Sequence, residues 1–582
     1  MINPLLAIDF YKADRRRQYP EGTTKEYSNF TPRSNRLYRG KSDKVVVVGI
    51  QMLIKDYLIK SWNEGFFQRD IEDVIAEYKT FMDCALGQDA IPVDHIRDLH
   101  NLGYLPIEIK ALTEGELCPM KVPVLTITNT LPNFFWLVNY LETVISTELW
   151  KPMTNATIAY EYRQTFNEFA ERTGANKDFI LFQGHDFSAR GLSNREDGYK
   201  SGIAHLTSFV GTDTVLAIQG AKDFYNADYT KELVGTSVPA TEHSVMCMGS
   251  KDGEFETYKR LITELYPSGV VSIVSDTWDL WKVLTEYTPM LKEEILNRKE
   301  NSLGLAKVVF RPDSGNPVDI ICGTVSDALI INPDWYEKGN FEQWQDLVGE
   351  DIDDIFRDKL GSVEPIYNIT LSYLFDNDVY QVTYTPDLNR NDKTYYYVDN
   401  YGPILSKCDF KKINKTPISK GAVEILWDIF GGTINDKGFK TLNQRVGLIY
   451  GDGITLERQR EILTRLEAKG FASDNIVFGI GSYTYQYSTR DTFGFAMKAT
   501  YCEVDGKGRE IFKDPITDSG TKKSAKGLLF VKRDEPDGDF YLIDQVSADR
   551  EQSENNNLKL VFKDGKLLRE TTLSEIRQRL HK

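Results

Sequence analysis

Six times along this chain a short apolar run stops at a loop of glycine and polar residues. Residues 179–182 lead into Gln183, Gly184, His185 and Asp186. Phe209 and Val210 lead into Gly211, Thr212 and Asp213, and residues 270–274 lead into Ser275, Asp276 and Thr277. Further on, 308–310 lead into Arg311, Asp313, Ser314 and Gly315. Residues 448–450 lead into Gly451, Asp452 and Gly453, and 476–478 into Gly479, Ile480, Gly481 and Ser482. Runs this short and this apolar suit strands buried on both faces of a parallel sheet. Helical patterns lie between them. Residues 455–469 put Leu456, Ile462, Leu463 and Leu466 on one face and stop at Gly470, and 279–299 read likewise. Because the polar residues always follow the strand, the pattern predicts an α/β fold: an irregular (β/α) barrel with its site at the C-terminal rim.

The flanks read differently. Residues 1–145 mix strands and helices. Residues 485–582 carry hairpin signals at Asp537-Gly538 and Asp564-Gly565, and a terminal helix near 573–580. The two ends are expected to pair into a second, β-rich α+β domain beside a barrel of residues 146–484. Residues from about 320 to 435 separate two barrel strands by far more than a usual connection. Their aromatic content, including Tyr395, Tyr396 and Tyr397, argues for a folded insertion.

Composition narrows the function classes. The 582 residues are 41% hydrophobic and 27% charged, enough for a multidomain globular core, and the net charge of −16 disfavours a broad nucleic-acid surface. No apolar run is long enough to span a membrane, and the N-terminus does not read as a signal peptide. The six cysteines form no CxxC, which suits a reducing, cytoplasmic setting without structural zinc. The six histidines form no HxH or HExxH, against a metal-dependent barrel hydrolase.

The densest chemistry is in 307–317, KVVFRPDSGNP, where one cation, one carboxylate and a glycine arrive within five residues of a strand end. Arg311 suits a pyrophosphate or carbonyl oxygen, and Asp313 suits a sugar hydroxyl or Mg²⁺. Gly315 lets a ligand approach the backbone. Together with other segments this motif resembles the nicotinamide phosphoribosyltransferase family along nearly the whole chain, the insertion excepted. The matching pieces begin with Asp9-Phe10-Tyr11-Lys12, Gln18-Tyr19-Pro20, LPIEIK at 105–110, HDF and RG within 185–191, and GTDTV at 211–215. They continue through SVPATEHS at 237–244, VSIVSD at 271–276, GDG at 451–453, TRD at 489–491 and FKDP at 512–515.

The resemblance implies transfer of a phosphoribosyl group from phosphoribosyl pyrophosphate to nicotinamide, in a homodimer with shared sites. Phe187 and Tyr11 of the partner subunit would clamp the pyridine ring, Asp213 would accept from the carboxamide, and Arg311 would contact the amide oxygen and pyrophosphate. Asp313, Gly451 and Asp452 would hold the ribose. Gly481, Ser482 and Arg490 would hold the 5′-phosphate, and Arg190 and His243 the leaving pyrophosphate. Arg33, Lys498, Lys513 and Lys522 resemble cations that reach the site across the dimer, with Lys523 a competitor for the last role. Asp276 and Asp313 are candidate Mg²⁺ ligands, and His243 resembles a histidine that ATP phosphorylates. The chain departs from the family at Ala189, Ser482 and Tyr483, and in the insertion. Two other readings stay open: a nicotinate phosphoribosyltransferase, which the Asp213 carboxylate disfavours by charge, and a non-catalytic pyridine-nucleotide binding protein.

Overall fold

The computed structural model describes residues 3–324, 328–330, 335, 337, 339–359, 369–375, 378–384, 408–451, 453–513, 524–535 and 538–582. Tyr395, Tyr396, Tyr397, Asp452, Lys522, Lys523 and Asp537 lie outside the described residues.

Strands Gly184–Asp186, Gly211–Thr212, Gly269–Val274, Ala306–Arg311, Val446–Tyr450 and Val477–Ile480 form one sheet, every pairing parallel. Its edges are 211–212 and 269–274. Residues 236–241 run between these edges, with Thr236 bridging to Gly211 and Ala240 to Ser272, both parallel. Backbone hydrogen bonds from Thr236 N to Val210 O (2.7 Å) and Ser272 N to Pro239 O (2.9 Å) join the segment to both sides. The sheet thus curls into a ring whose strands follow chain order. Pro239 has no N–H to give a ladder, so this closure is a pair of single bridges rather than a full strand.

Three strand assignments from the sequence are corrected. Phe209 and Val210 precede their strand, which is Gly211–Thr212 itself and not the loop after it. The apolar run 179–182 is helical: Lys177–Phe179 is a 3₁₀ turn capped by Asn176 and Ile180–Gln183 continues as a helix, so the strand is Gly184–Asp186. Gly479 and Ile480 belong to the strand Val477–Ile480 and not to the loop after it.

A seven-stranded antiparallel sheet is woven from both chain ends. Its order is Lys507–Glu510, Ala496–Val504, Thr23–Thr31, Leu125–Asn129, Ile107–Ala111, Lys559–Lys563, Lys566–Leu567. The last two strands form the hairpin signalled by Asp564-Gly565, whose φ values of 48° and 77° are those a two-residue primed turn demands. Leu573–Leu580 forms the terminal helix, opened by a Thr572/Glu575 capping box.

There are two large apolar cores, and the helix Glu142–Thr173 enters both. Ile145, Leu149 and Met153 pack in the core under the antiparallel sheet, while Tyr162, Phe166 and Phe169 pack in the barrel core. The helices Arg195–Leu206 and Val215–Tyr225 belong to the chain between barrel strands, yet Leu206, Ala217 and Tyr225 are buried in the first core. Among the described residues no helix is long and apolar enough to cross a membrane.

The excursion after Arg311 has its own small core. Strands Ala328–Ile330, Ile369–Phe375, Asp378–Tyr384 and Cys408–Ile413 make a four-stranded sheet beside the helix Phe341–Lys359, with Trp344, Val348, Tyr373 and Val382 buried. It ends earlier than the expected bound of about 435. The helix Pro417–Phe430 buries Val423, Ile425 and Leu426 in the barrel core, next to Pro317–Cys322. The junction is Gly323 against Gly421, at φ 86° and 78°, where a Cβ on either would strike the other segment's backbone.

Candidate active site at the barrel rim

In the strand Gly184–Asp186 side chains alternate, so His185 and Phe187 line the barrel cavity while Asp186 is fully buried. Asp186 ties two rim loops together. It accepts from Ser188 N (2.9 Å) and Ser188 Oγ (2.6 Å) in its own loop, and from Thr214 Oγ1 (2.8 Å) in the next. Phe187 N donates to Ile480 O at 3.0 Å, fixing the ring over the neighbouring strand. A Cβ at Gly479 would lie 2.5 Å from Phe187 Cδ2, so glycine there is a condition of the ring's position. The guanidinium of Arg311 sits 5.9 Å from the Phe187 ring centre, within cation–π range.

Asp213 stands beside this ring at the end of Gly211–Thr212. Its Oδ1 receives both His185 Nε2 (2.9 Å) and Ser237 Oγ (2.6 Å). An ionised carboxylate only accepts, so Nε2 carries the imidazole proton. Burial pushes the Asp213 pKa up, but the hydrogen bonds from His185 and Ser237, aided by the charge of Arg311, outweigh it and hold the carboxyl below its usual range. Among the described residues nothing donates to Oδ2.

Arg311 is anchored by Nη2 donating to Thr241 O and by its backbone N on Ser275 Oγ (3.2 Å). Its Nε is buried without a partner among the described residues, and burial lowers its pKa against the opposing charges of Asp313 and Asp213. Asp276 Oδ2 organises the motif loop by accepting from Asp313 N (2.9 Å), Ser314 N (2.8 Å) and Ser314 Oγ (2.6 Å), while Asp276 Oδ1 is buried and has no partner among the described residues. Tyr450 OH donates to Ser314 O and Gly315 O from the next strand, and Gly315 takes φ 89°. His243 Nε2 lies 3.0 Å from Asp313 Oδ1, and its Nδ1 lies 3.4 Å from Thr277 Oγ1. Ligand atoms of His243, Asp276 and Asp313 gather within 4.8 Å of one another.

Gly451 N bonds Pro312 O at 3.1 Å, and a Cβ on Gly451 would lie 3.1 Å from the Asp313 Cβ. Gly481 precedes the short helix Ser482–Gln486. Ser482 packs where a side chain on Gly191 would stand, so the serine that departs from the family pattern is accommodated by the RG glycine. Arg190 and Arg490 are exposed. Tyr485 OH, from the same short helix, lies 2.7 Å from buried His205 Nδ1, whose Nε2 donates to Gly211 O; burial pushes that imidazole down to about 4.

Of the remaining cations, Lys498 lies on the strand Ala496–Val504, while Arg33 and Lys513 follow the strands Thr23–Thr31 and Lys507–Glu510. Lys498 is lowered by burial first, and Arg33, Lys513 and Arg490 push it the same way, so four predicted cations share one patch. Tyr11 stands nearby on the turn Phe10–Lys12, 65% exposed, within the influence of Arg490. Beneath it, buried Lys12 bonds Asn139 O (2.9 Å) and Glu142 Oε2 (2.6 Å). Within the chain Tyr11 makes no ring contact with Phe187, whose aromatic neighbour among the described residues is His185, 4.7 Å away.

A cavity of about 800 Å³ runs from Phe187, Asp213 and Arg311 at the rim into the barrel, past Val309 to Lys307. Sequence reasoning grouped Phe187, Asp213, Arg311, Asp313, Asp276 and His243 at this rim, and they are found there. It quoted Asp186, Ser237, Thr241 and Ser275 without giving them a role, although they hold those groups in place. His185 was quoted but given no role, although its two-residue spacing from Phe187 already put both on one face of a strand.

The model of the nicotinate phosphoribosyltransferase (NAPRTase) family matches residues 182–364 and 407–566, and that of the nicotinamide phosphoribosyltransferase N-terminal domain matches 3–109. A nicotinamide phosphoribosyltransferase of Acinetobacter baylyi is 51% identical over 582 residues, covering 100% of this chain and 97% of that one. That of Mycoplasma pneumoniae is 31% identical, covering 90% and 95%, and that of Xanthomonas campestris pv. campestris is 30% identical, covering 99% and 97%. Matches of this extent, over the strands and loops that build the rim, decide the matter: the chain belongs to the nicotinate phosphoribosyltransferase family, and within it to the nicotinamide phosphoribosyltransferases.

Proposed function

We propose that this enzyme transfers the phosphoribosyl group of phosphoribosyl pyrophosphate to nicotinamide, giving nicotinamide mononucleotide and pyrophosphate in NAD salvage. The observation that carries the reading is the slot of Phe187, Asp213 and Arg311. A flat ring wall, an acceptor oxygen without a protein donor among the described residues, and a cation meet at one end of the cavity. Asp213 Oδ2 accepts from the carboxamide NH₂ and repels a carboxylate in the same place, which favours nicotinamide over nicotinate.

The pyridine nitrogen lone pair attacks carbon 1 of the ribose. The bond from that carbon to the pyrophosphate oxygen breaks, its electron pair leaves with pyrophosphate, and the ring nitrogen becomes cationic. No protein nucleophile is needed, so the work is alignment and stabilisation of charge. Arg311, Arg190 and His243 face the leaving group. Asp313 and Gly451, with Asp452, hold the ribose hydroxyls, and Gly481, Ser482 and Arg490 hold the 5′-phosphate.

Asp276 and Asp313 fit a Mg²⁺ ion. Both offer hard oxygen donors, and Asp276 Oδ1 is a buried acceptor with no partner among the described residues. When bound, the ion would neutralise negative charge on the pyrophosphate oxygens. ATP enters as a coupling substrate. With Nε2 of His243 held by Asp313, Nδ1 is the nitrogen that would take the γ-phosphoryl group as ADP leaves.

The exposed Tyr11 and the cation patch of Arg33, Lys498 and Lys513, with Lys522, support a homodimer in which these groups complete the partner's slot. The spacing of the six cysteines, with no CxxC, supports a cytoplasmic setting. The test is a product assay offering nicotinamide, nicotinate and quinolinate in parallel, with and without ATP. Nicotinamide mononucleotide is the expected main product, and preferential use of either acid would refute the reading.

A further inference from the structure

We propose that His185 is the positioning residue that sets discrimination between a pyridine amide and a pyridine carboxylate, and that it makes this discrimination depend on pH. The inference rests on the nicotinamide reading above. It starts from the division of labour on Asp213. Both protein donors, His185 Nε2 and Ser237 Oγ, converge on Oδ1. The carboxylate cannot swing without losing both, so Oδ2 is presented to the cavity in one orientation. His185 also packs its ring against Phe187 at 4.7 Å with a 43° tilt. One imidazole therefore fixes both the acceptor and the stacking wall.

The second half concerns charge. Imidazole is the side chain that ordinarily changes charge between about pH 5 and 8. With Nε2–H committed to Asp213, a further proton goes to Nδ1. That nitrogen faces Gly211, where a Cβ would come within 2.9 Å of it, so the glycine leaves the position uncovered. The charged and titratable groups around the ring are Asp213 from the adjacent strand end, and Asp186 on the opposite face of its own strand. His205 comes from the helix Arg195–Leu206, and Arg311 from the strand Ala306–Arg311. Only Asp213 is in direct contact with the imidazole among these. With His185 neutral, Asp213 confronts the ligand as a net negative charge and a carboxylate is repelled. With His185 cationic, the pair is neutral and that repulsion is cancelled, while the acceptor geometry for an amide persists.

The test measures kcat/KM for nicotinamide, and Ki for nicotinate as its competitor, from about pH 8 to about pH 5.5. Nicotinate stays ionised over this range, since carboxylates titrate near pH 4. In the native enzyme the nicotinate Ki should fall about tenfold or more relative to the nicotinamide KM as the pH drops, the scale of one partly screened charge contact. In His185→Gln the amide tip still donates to Asp213 but does not titrate, so the ratio should stay flat and amide-selective. His185→Ala should weaken nicotinamide use at every pH, because Asp213 keeps its charge but loses one of the two donors that orient it, and its nicotinate ratio should not vary with pH; His185→Asn serves if the glutamine variant does not fold. A flat ratio in the native enzyme, or a glutamine variant that follows the native pH profile, would overturn the assignment. Should nicotinamide give no mononucleotide at any pH, the proposed reaction itself fails, which is a distinct outcome.

Discussion

Gly479 offers a direct gauge of how tightly the ring wall is built. An added methyl at this position would stand 2.5 Å from Phe187 Cδ2, 2.7 Å from Phe187 Cε2 and 2.9 Å from Tyr450 O. Carbon atoms rest about 3.5–4.0 Å apart, so in Gly479→Ala the ring must retreat by roughly 1 Å. It has little room, because its backbone is bonded to Ile480 O and its other side meets His185. Overpacking of this kind costs about 1–3 kcal/mol of stability. A misplacement of about 1 Å in a substrate-positioning group costs on the order of a hundredfold in rate. We therefore expect kcat/KM for nicotinamide to fall about a hundredfold, with KM for phosphoribosyl pyrophosphate little changed. Denaturant unfolding of Gly479→Ala, Phe187→Ala and the double variant apportions the cause. If the clash is with the ring, at least about half of the Gly479→Ala cost should vanish once the ring is gone. Equal costs in both backgrounds would refute the reasoning and place the strain in the backbone contact with Tyr450.

Other outcomes follow from the same geometry. Glu26 is buried with Oε1 accepting from Tyr19 OH (2.7 Å) and from Asn139 Nδ2, and Oε2 without a partner among the described residues. Burial pushes its carboxyl up to about 7, against the hydrogen bonds of Tyr19 and Asn139 and the charge of Arg15. The folded value exceeds the unfolded one, so this group's contribution is full below the unfolded pKa and lost as pH rises through 7. Glu26→Gln should then gain on the order of 3 kcal/mol relative to the native chain near pH 8 and almost nothing near pH 4. A pH-independent difference in Tm would contradict this. Asp213→Asn should lower nicotinamide kcat/KM about tenfold and narrow the gap to nicotinate, by analogy with other lost charge-assisted contacts; an unchanged preference would remove Asp213 from the specificity role. Mixing inactive Tyr11→Ala chains with inactive Arg311→Ala chains should restore turnover, and no recovery despite verified subunit exchange would rule out shared sites.

The rim was legible because a buried parallel strand must be apolar and must hand its polar groups to the loop that follows. Residues 270–276, 306–313 and 446–451 obey that rule, and so the groups around Asp276, Arg311 and Asp313 were found from their neighbours. Where the rule fails the reading failed with it. Gly184–Asp186 is three residues long and carries a histidine and an aspartate, so nothing apolar announces it, while the apolar run before it is helical because Asn176 starts a turn. Residues 236–241 close the ring through one bridge to each side, and Pro239 removes the ladder that would leave a periodic trace. The supporting hydrogen bonds of Asp186, Ser237 and Ser275 join residues from different strands, a relation that no local pattern encodes. The division of helices between cores is likewise invisible locally. Leu206 and Tyr225 face the antiparallel sheet's core through tertiary packing alone.

The touching glycines at 323 and 421 turn the excursion after Arg311 into a closed detour. The polypeptide leaves and returns through one doorway, and the ring of strands experiences it almost as an unbroken helix connection. Lengthening such a detour costs little, since closure entropy grows only with the logarithm of its size. Selection can therefore enlarge, trim or exchange that outlying body while the catalytic mouth keeps its dimensions, and the two surfaces of the molecule are free to evolve at separate paces.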